Sequence, residues 1–328
     1  MSGEPNLAET RELVLERVRR DSSFVVATHE NPDGDALGSL IGMHGLLTAL
    51  GKDSVMFISD SDLPLPREYR CPALEHAIQA APADIGERTI VMLDCGNIDR
   101  NPAAVLQHGA HLLNIDHHHD NTLFGTINLV DPEASCTAEI VAGLLEEAGI
   151  PLADGAPLAL YVGLVTDTGR FQYVNTTPRA HRLAARLLEE GVQPAQVFST
   201  LFESLPLARQ RLLGLALGRA EVAAGGRLAV TSLAREDFEA TGADDASSDG
   251  VVDALRAIDG VELAALLREP RDRTGPARKV SLRSRAGGID CSAIARLRGG
   301  GGHPGAAGYS TDETVPEIVA FLESAVGR

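Results

Sequence analysis

Four separated segments of the 328-residue chain each end an apolar run with side chains that bind divalent cations. They are His29 with Asp33 and Asp35, then Asp94, then the run Asp116, His117, His118 and His119, and finally Asp167. Carboxylates and imidazoles without a thiolate suit Mn²⁺-like ions better than structural zinc. One ion does not need so many ligands. Two ions about 3.5–4 Å apart, sharing a bridging carboxylate, can activate a water and stabilise the charge that grows on a phosphoryl group. Asp33, Asp35, Asp94 and Asp167 carry the four negative charges that two divalent ions would neutralise; without metal they would repel one another and some would stay protonated. A single Asp at a strand end is usually a cap or turn residue. It is the joint occurrence of all four segments after strand-like or apolar runs that points to a metal centre. The histidines at 44, 76, 108, 111 and 181 read as ordinary helical or surface residues.

A second chemistry lies near the C-terminus. Residues 268–298 hold nine Arg or Lys against three Asp or Glu, a local balance of +6 in a chain of formal net charge −17. Such a patch, facing an acidic metal site, would capture an anionic substrate between two domains. In the strand-like run 279–285 the two-residue period puts Val280 and Leu282 on one face and Ser281, Arg283 and Arg285 on the other, which makes Arg283 a phosphate-binding candidate. The run Gly299, Gly300, Gly301, Gly302, followed by His303, reads as a loop whose backbone N–H groups encircle an anion. Arg170, close after Asp167, is a further candidate for reaching a phosphate.

The elements that must position these residues form an α/β pattern. Leu7–Arg20 reads as a polar-faced helix, Phe24–Thr28 as a buried parallel strand, and Asp35–Leu50 as the following helix. Apolar runs recur at Ser54–Ile58, Thr89–Asp94 and Leu112–Asp116, with intervals long enough for crossover helices. The polar clusters then sit beyond the carboxyl ends of strands, where such sheets bind ligands. From Ala153 to about Leu217 the chain reads as mainly helical, with breaks at Pro178, Pro194 and Pro206. A second α/β unit follows, with strands at Arg227–Leu233, Val261–Arg268 and Ala277–Arg285 and a helix at Val315–Val326.

The composition narrows the function. The length suggests two domains. The acidic balance argues against broad binding of long nucleic acid, which needs a cationic surface to displace counterions. The absence of Trp and an aromatic content of 4% argue against a stacking platform for long single strands. Cys71, Cys95, Cys136 and Cys291 form no CxxC pair or disulfide framework, which fits a reducing cytoplasm. Neither a secretory signal nor an apolar stretch of membrane-spanning length is expected.

The segments THENPDGDALGS (28–39), VMLDCGN (91–97), NIDHHHDNTLFG (114–125), DPEASCTAEI (131–140), GLVTDTGRFQY (163–173) and GGGGHPGAAGY (299–309) follow one another across almost the whole chain. In type and order they resemble the DHH phosphoesterase superfamily, in its NrnA-type branch of oligoribonucleases and pAp phosphatases. The resemblance implies an N-terminal parallel-sheet DHH domain over 1–190, a helical linker over 191–224 and a smaller C-terminal α/β substrate domain over 225–328, with the active site in the cleft between them.

Carried over residue by residue, it implies one ion held by His29, Asp33 and Asp94, and a second held by Asp35, Asp94, His117 and Asp167, with Asp94 bridging. Asp116 would hold an imidazole in the required tautomer. His118 would contact the phosphoryl oxygens or protonate the leaving group. The substrate clasp would comprise Arg283, His303, Gly300, Gly301 and Gly302. Two positions depart from the pattern: His119 is a third consecutive histidine, expected to face solvent, and Cys136 stands where the family commonly has Ser.

The implied activity is hydrolysis of RNA about two to five nucleotides long to mononucleotides, together with the phosphomonoester of pAp; a homodimer is also implied. Cleavage of cyclic dinucleotides or linear pApA is the related alternative. The family's pyrophosphatases differ in their C-terminal pattern, and its RecJ-type exonucleases carry additional modules. A catalytically silent nucleotide-binding regulator would lack a ligand, and none is missing.

Overall fold

The computed structural model describes residues 6–101, 103–152, 155–203, 205–270, 275–285 and 287–327, and for His303 the backbone alone. The chain divides into two compact units, Met1–Glu203 and Ser204–Arg328.

The first unit is built on five parallel strands: β1 (Ser23–Thr28), β2 (Asp53–Met56), β3 (Thr89–Leu93), β4 (His111–Asp116) and β5 (Ile127–Val130), in the order β2-β1-β3-β4-β5. β1 and β3 are apolar along almost their whole length because a central parallel strand is covered on both faces. One face carries Phe24, Val26, Val91, Leu93, Leu113 and Ile115 into a core shared with helices. Those helices are α1 (Leu7–Arg20), α2 (Gly34–Ala49), α3 (Thr137–Glu147), α4 (Ala156–Asp167), α5 (Pro178–Glu189) and α6 (Pro194–Phe198).

The other face presents Val25, Ala27, Ile90 and Met92 to a smaller cluster that includes Phe57, Cys95 and Leu106. Among the described residues, the crossover helices expected on either side of β3 are absent. Short 3-10 turns occupy Asp60–Asp62, Arg67–Tyr69, Pro72–His76 and Ile85–Glu87, and then Ile98–Arg100 and Ala104–His108. Pro64, Pro66, Pro72 and Pro82 interrupt the first of these stretches and prevent a long helix.

Glycines set how closely α2 and α4 approach. Gly34, Gly38 and Gly42 recur every fourth residue and therefore lie on one face of α2. A Cβ at Gly38 would strike the carbonyl of Ala159, and one at Gly42 would meet Leu160 at 2.9 Å and Val141 at 3.0 Å. On α4, a Cβ at Gly163 would meet Ala138 at 2.9 Å and the Asp35 carboxylate at 3.0 Å. Bare backbone on both helices brings the first turn of α2 against the last turn of α4.

The second unit contains a six-stranded mixed sheet in the order β10-β11-β9-β8-β7-β6. Its strands are β6 (Glu221–Ala223), β7 (Leu228–Leu233), β8 (Leu263–Arg268), β9 (Arg278–Ser284), β10 (Gly301–His303) and β11 (Ala306–Thr311). One face packs on α10 (Cys291–Arg296) and α11 (Val315–Val326), through Val280, Leu282, Ile294, Ile318 and Leu322. The other packs on α7 (Leu207–Gly218), α8 (Arg235–Thr241) and α9 (Val251–Arg256), through Leu212, Ala229, Phe238, Val252 and Leu266.

The segment 191–224, expected to be a helical linker, carries α6, the turn Ser199–Glu203, α7 and β6. Val197 and Leu201 belong to the first core, whereas Leu212 and Ala216 belong to a core of the second. Their apolar side chains are buried rather than exposed, and that fixes the segment to its neighbours. Ala153, where the helical stretch was expected to begin, lies outside the described residues, as do positions 271–274 of the basic stretch. Among the described residues no helix is long and apolar enough to cross a membrane.

Candidate metal centre

The order β2-β1-β3 reverses the direction of strand addition between β1 and β3, and parallel sheets open a ligand crevice beyond the strand ends at such a switch point. His29 follows β1 directly and Asp94 follows β3 directly. Asp116 is the last residue of β4, Asp33 caps α2, Asp35 lies in its first turn, and Asp167 ends α4. Residues distant in sequence therefore converge because each stands at an element end.

Asp94 is the centre of the group. It is buried, and its backbone is left-handed at φ 54°, a conformation Asp tolerates better than most residues. Its N–H donates to the Ile115 carbonyl at 3.1 Å, which fixes the turn against β4. The two carboxylate oxygens look in different directions. Oδ2 lies 3.4 Å from His29 Nε2, while Oδ1 lies 3.6 Å from His117 Nε2 and 3.6 Å from His118 Nδ1. Asp33 joins His29 and Asp94 in a trio whose ligand atoms lie within 4.8 Å of one another. Asp94, His117 and His118 form a second such trio.

Hydrogen bonds decide which atoms face inward. His29 Nδ1 lies 2.7 Å from the Glu30 carbonyl, an acceptor only, so Nδ1 carries a proton and Nε2 is the nitrogen left facing Asp94. That is the arrangement usual for a metal-binding imidazole. His118 Nδ1 donates to Asp116 Oδ1 at 2.8 Å. This nitrogen is therefore already engaged, and the geometry favours His117, not His118, as the imidazole available beside Asp94. Asp116 is fully buried and also accepts from the His117 N–H at 2.8 Å and from Asn121 Nδ2 at 2.5 Å. His119 is exposed.

Asp35 and Asp167 complete the acidic side. The Asp35 carboxylate is buried and accepts the N–H groups of Thr137 at 2.7 Å and Ala138 at 2.8 Å, the first two residues of α3. A carboxylate there satisfies orphan donors and complements the positive end of the helix. Cys136, the N-cap of α3, makes no side-chain cap hydrogen bond and is buried. Because Asp35 supplies the cap from another helix, the sulfur in place of a hydroxyl costs α3 nothing there. Asp167 Oδ2 lies 3.7 Å from His117 Nε2 and accepts from Asn175 Nδ2 at 3.1 Å. It stands at the C-terminal end of α4, where the helix dipole favours a cation.

The electrostatics describe a site short of positive charge. Burial, with the charges of Asp94, Asp167 and Asp33 added, pushes the Asp35 carboxyl well above its ordinary range. Burial also pushes Asp167 up to about 7; His117 opposes this and Asp94 and Asp33 add to it. Burial likewise raises Asp94, but the His29 hydrogen bond and the charges of His118, His117 and His29 outweigh it and hold that carboxyl far below its ordinary range. Burial lowers the His118 pKa, yet the Asp116 hydrogen bond and the Asp94 charge carry it up to about 9. A carboxylate and imidazole set in this state fits hard or borderline divalent cations.

Three residues of this site carried no role in the sequence reading. Thr137 Oγ1 donates to Asp94 Oδ1 at 3.1 Å, Asn121 holds Asp116, and Asn175 holds Asp167 while also donating to the Ser135 carbonyl at 2.8 Å. All three are uncharged, so only the fold reveals that Thr137 and Asn175 bond to candidate ligands and Asn121 to the carboxylate that orients His118.

The other candidates are placed differently. Arg170 is exposed, with left-handed backbone at φ 64°, and its guanidinium stacks 5.0 Å from the Phe202 ring centre. Arg283 lies on β9 in the second unit. The glycine run is not an open loop. Gly301 and Gly302 pair with Gly308 and Ala307 as an antiparallel hairpin, in which His303 lies opposite Ala306 and Ala306 opposite Arg283. The side chain of His303 lies outside the described residues. Close packing explains two of the glycines. A Cβ at Gly302, where φ is +134°, would meet the Ala306 carbonyl at 2.6 Å, and one at Gly300 would strike the Gly308 carbonyl. Gly301 has open space at its Cβ position.

The chain belongs to the DHH phosphoesterase family. Residues 23–164 match the DHH family N-terminal domain, and residues 225–328 match the DHHA1 domain. The chain is similar to the bifunctional oligoribonuclease and PAP phosphatase NrnA of Thermus thermophilus, at 35% identity over 93% of this chain and 89% of that protein. The Bacillus subtilis protein of the same name is 27% identical over 92% of this chain and 94% of its own length. A crystal structure of an exopolyphosphatase-related protein from Bacteroides fragilis shares the fold, with a TM-score of 0.89, 25% identity, and coverage of 100% of this chain and 98% of that one.

Proposed function

We propose that the chain hydrolyses phosphodiester bonds in very short oligoribonucleotides, about two to five nucleotides long, releasing mononucleotides, and that it removes the 3′-phosphate of pAp. In this reading residues 1–190 supply the catalytic centre and residues 225–328 the substrate-binding domain. The observation that carries it is the split geometry of Asp94, whose Oδ2 faces His29 and whose Oδ1 faces His117. A carboxylate so placed suits a bridge between two cations. His29, Asp33 and Asp94 would hold one divalent ion, and Asp35, Asp94, His117 and Asp167 the other, with Mn²⁺ a metal that suits this set. When bound, such ions supply Lewis acidity to the phosphoryl oxygens and lower the pKa of water to near neutrality.

The chain's own groups do the rest. Thr137, Asn175 and the first N–H groups of α3 hold Asp94, Asp167 and Asp35 in place, so that the centre needs little reorganisation on binding. Asp116 fixes the proton of His118 on Nδ1 and its ring orientation. His118 then contacts the phosphoryl oxygens or passes a proton to the leaving oxygen. Arg170, Arg283, His303 and the Gly300–Gly302 hairpin hold the remainder of the substrate. The homodimer implied by family resemblance and a cytoplasmic location complete the reading; the four free cysteines are compatible with that location.

The test is a panel of substrates assayed with Mn²⁺: diribonucleotides, longer RNA, pAp, pApA, cyclic dinucleotides and pyrophosphate. Preferred turnover of diribonucleotides and pAp supports the proposal. Turnover confined to pyrophosphate or to cyclic dinucleotides would replace it.

A further inference from the structure

The second unit contains a recess of about 210 Å³, entirely its own, on the sheet face that carries Arg283. Its floor is Arg268 and Leu266 of β8 and Lys279, Ser281 and Arg283 of β9, and its wall is the segment 248–253. In the antiparallel register Arg268 stands directly opposite Lys279. Like charges in that position destabilise a sheet unless something anionic offsets them. Arg283 lies on the same face of β9, so three cations share one surface.

The carboxylates nearby do not satisfy them. Arg268 is largely buried; its nearest carboxylate oxygen, on Asp245, is 3.6 Å from Nη1, and that nitrogen has no hydrogen-bond partner. Arg283 Nε lies 3.7 Å from Asp253 Oδ1, and Arg283 Nη1 donates only to the Leu282 carbonyl of its own strand. Asp253 Oδ1 is itself buried and accepts no hydrogen bond, although Arg256 lies 3.5 Å away. Asp249, on the wall, has its carboxyl raised by burial against the opposing pull of Arg209, Arg268, Arg283 and Lys279.

Buried donors and acceptors without partners are expensive. Here a cationic donor, Arg268 Nη1, and a carboxylate acceptor, Asp253 Oδ1, line one recess, each with oppositely charged groups at ion-pair distance but no hydrogen bond. A plain anion would satisfy the first and be repelled by the second. A neutral sugar would leave the cations unmet. A phosphorylated ribose matches both, with phosphate on the cations and hydroxyl hydrogens on the carboxylate. We infer that this recess binds a nucleoside monophosphate unit, its phosphate held by Arg268 and Lys279 and a ribose hydroxyl by Asp253. The inference rests on the phosphoesterase reading for its choice of ligand. The unit is the terminal nucleotide of the oligonucleotide substrate; free mononucleotide is the same chemistry from another source.

The full-length, Mn²⁺-loaded protein tests this by diribonucleotide kinetics and by equilibrium dialysis with AMP, adenosine and inorganic phosphate. Lys279→Ala should weaken AMP binding and raise KM by about tenfold or more, the scale of a charge-assisted contact. kcat should move little, and Lys279→Arg should restore both. Asp253→Asn should weaken AMP but not inorganic phosphate. Lys279 is exposed, so an unchanged melting temperature verifies that Lys279→Ala is folded. If AMP inhibits diribonucleotide cleavage competitively and loses potency in Lys279→Ala, the substrate's own nucleotide occupies the recess. Non-competitive inhibition that depends on Lys279 would overturn the substrate assignment and point to free mononucleotide. AMP binding and KM both unaffected by Lys279→Ala would overturn the recess as a site. Should no diribonucleotide turn over at all, the phosphoesterase reading falls, while the Lys279 dependence of AMP binding still decides the recess.

Discussion

The two sheets hold their polar residues in opposite ways. In the first, all strands run parallel, so their carboxyl ends lie at one edge and His29, Asp94 and Asp116 meet there without lying on any strand face. In the second, the strands mostly alternate in direction, and Lys279, Ser281 and Arg283 project from the face of one strand at every second position. The parallel arrangement concentrates ligands around a point; the antiparallel one spreads them along a line. A point suits cations a few ångströms apart, whereas a line suits an extended, charged substrate. The first is buried and depends on a small number of helix-end hydrogen bonds. In the second, the small residues Ala264 and Ala306 stand opposite Arg283, and Gly308 stands opposite Ser281.

If the point arrangement depends on Asp94 as its shared member, Asp94→Ala should have the largest effect on activity. We expect kcat/KM to fall by roughly a thousandfold or more, the scale for removing a preorganised electrostatic element, with the secondary structure retained by circular dichroism. Near wild-type kcat at saturating Mn²⁺ would remove Asp94 from the bridging position.

The next effect tests how the point is assembled. Gly38→Val drives a side chain into the Ala159 carbonyl, which should cost about 1–3 kcal/mol or more and appear as a lowered melting temperature or insoluble protein. Gly45, also on α2, faces open space, and Gly45→Ala should stabilise by up to ~1 kcal/mol. Equal behaviour of the two variants would mean that α2 and α4 do not approach through bare backbone.

Smaller again is the contribution of the uncharged supports. Asn175→Ala and Thr137→Val should each weaken Mn²⁺ binding or activity by about 10–100-fold, as for residues that orient metal ligands. Metal titration followed calorimetrically separates this from loss of substrate binding, because substrate affinity should change less than metal affinity.

The smallest effect concerns stability of the metal-free protein. With its carboxyl pushed up from 3.8 to about 7, native Asp167 keeps a proton that the unfolded chain has released. Stability from this group therefore falls as pH rises from about 4 to 7. In chelator, Asp167→Asn should melt a few degrees above the parent at pH 8, with the gap closing toward pH 5. With Mn²⁺ added the order should reverse, since the variant has lost a ligand and the linkage that metal binding supplies. A variant less stable in both conditions would mean that Asp167 is not held among uncompensated carboxylates.

Much of the metal centre was legible because its residues are chemically conspicuous: an Asp or His closing an apolar run announces a strand end and a ligand together. The family resemblance then paired them, and helix α1, read as a polar-faced helix over Leu7–Arg20, has those same bounds in the structure. What escaped has physical reasons. Thr137, Asn121 and Asn175 act through single hydrogen bonds, which spacing does not mark. Gly38 and Gly42 stand four residues apart in the run read as a helix, but spacing alone does not show which element their bare face packs against. The 3-10 segments flanking β3 filled the length expected of helices, and only their prolines hinted otherwise. In the second unit β10 and β11 are glycine- and alanine-rich, so their strand character comes from pairing, not propensity.

The bridging of two ions by Asp94 is tested most directly by loading the metal-free protein with Mn²⁺ and following stoichiometry together with electron paramagnetic resonance. Two ions sharing a carboxylate should saturate at two per chain and give an exchange-coupled spectrum, and Asp94→Ala should abolish the coupling. Saturation of the parent protein at one ion, or a fully loaded protein showing only the signal of isolated Mn²⁺, would contradict a two-ion centre built around Asp94.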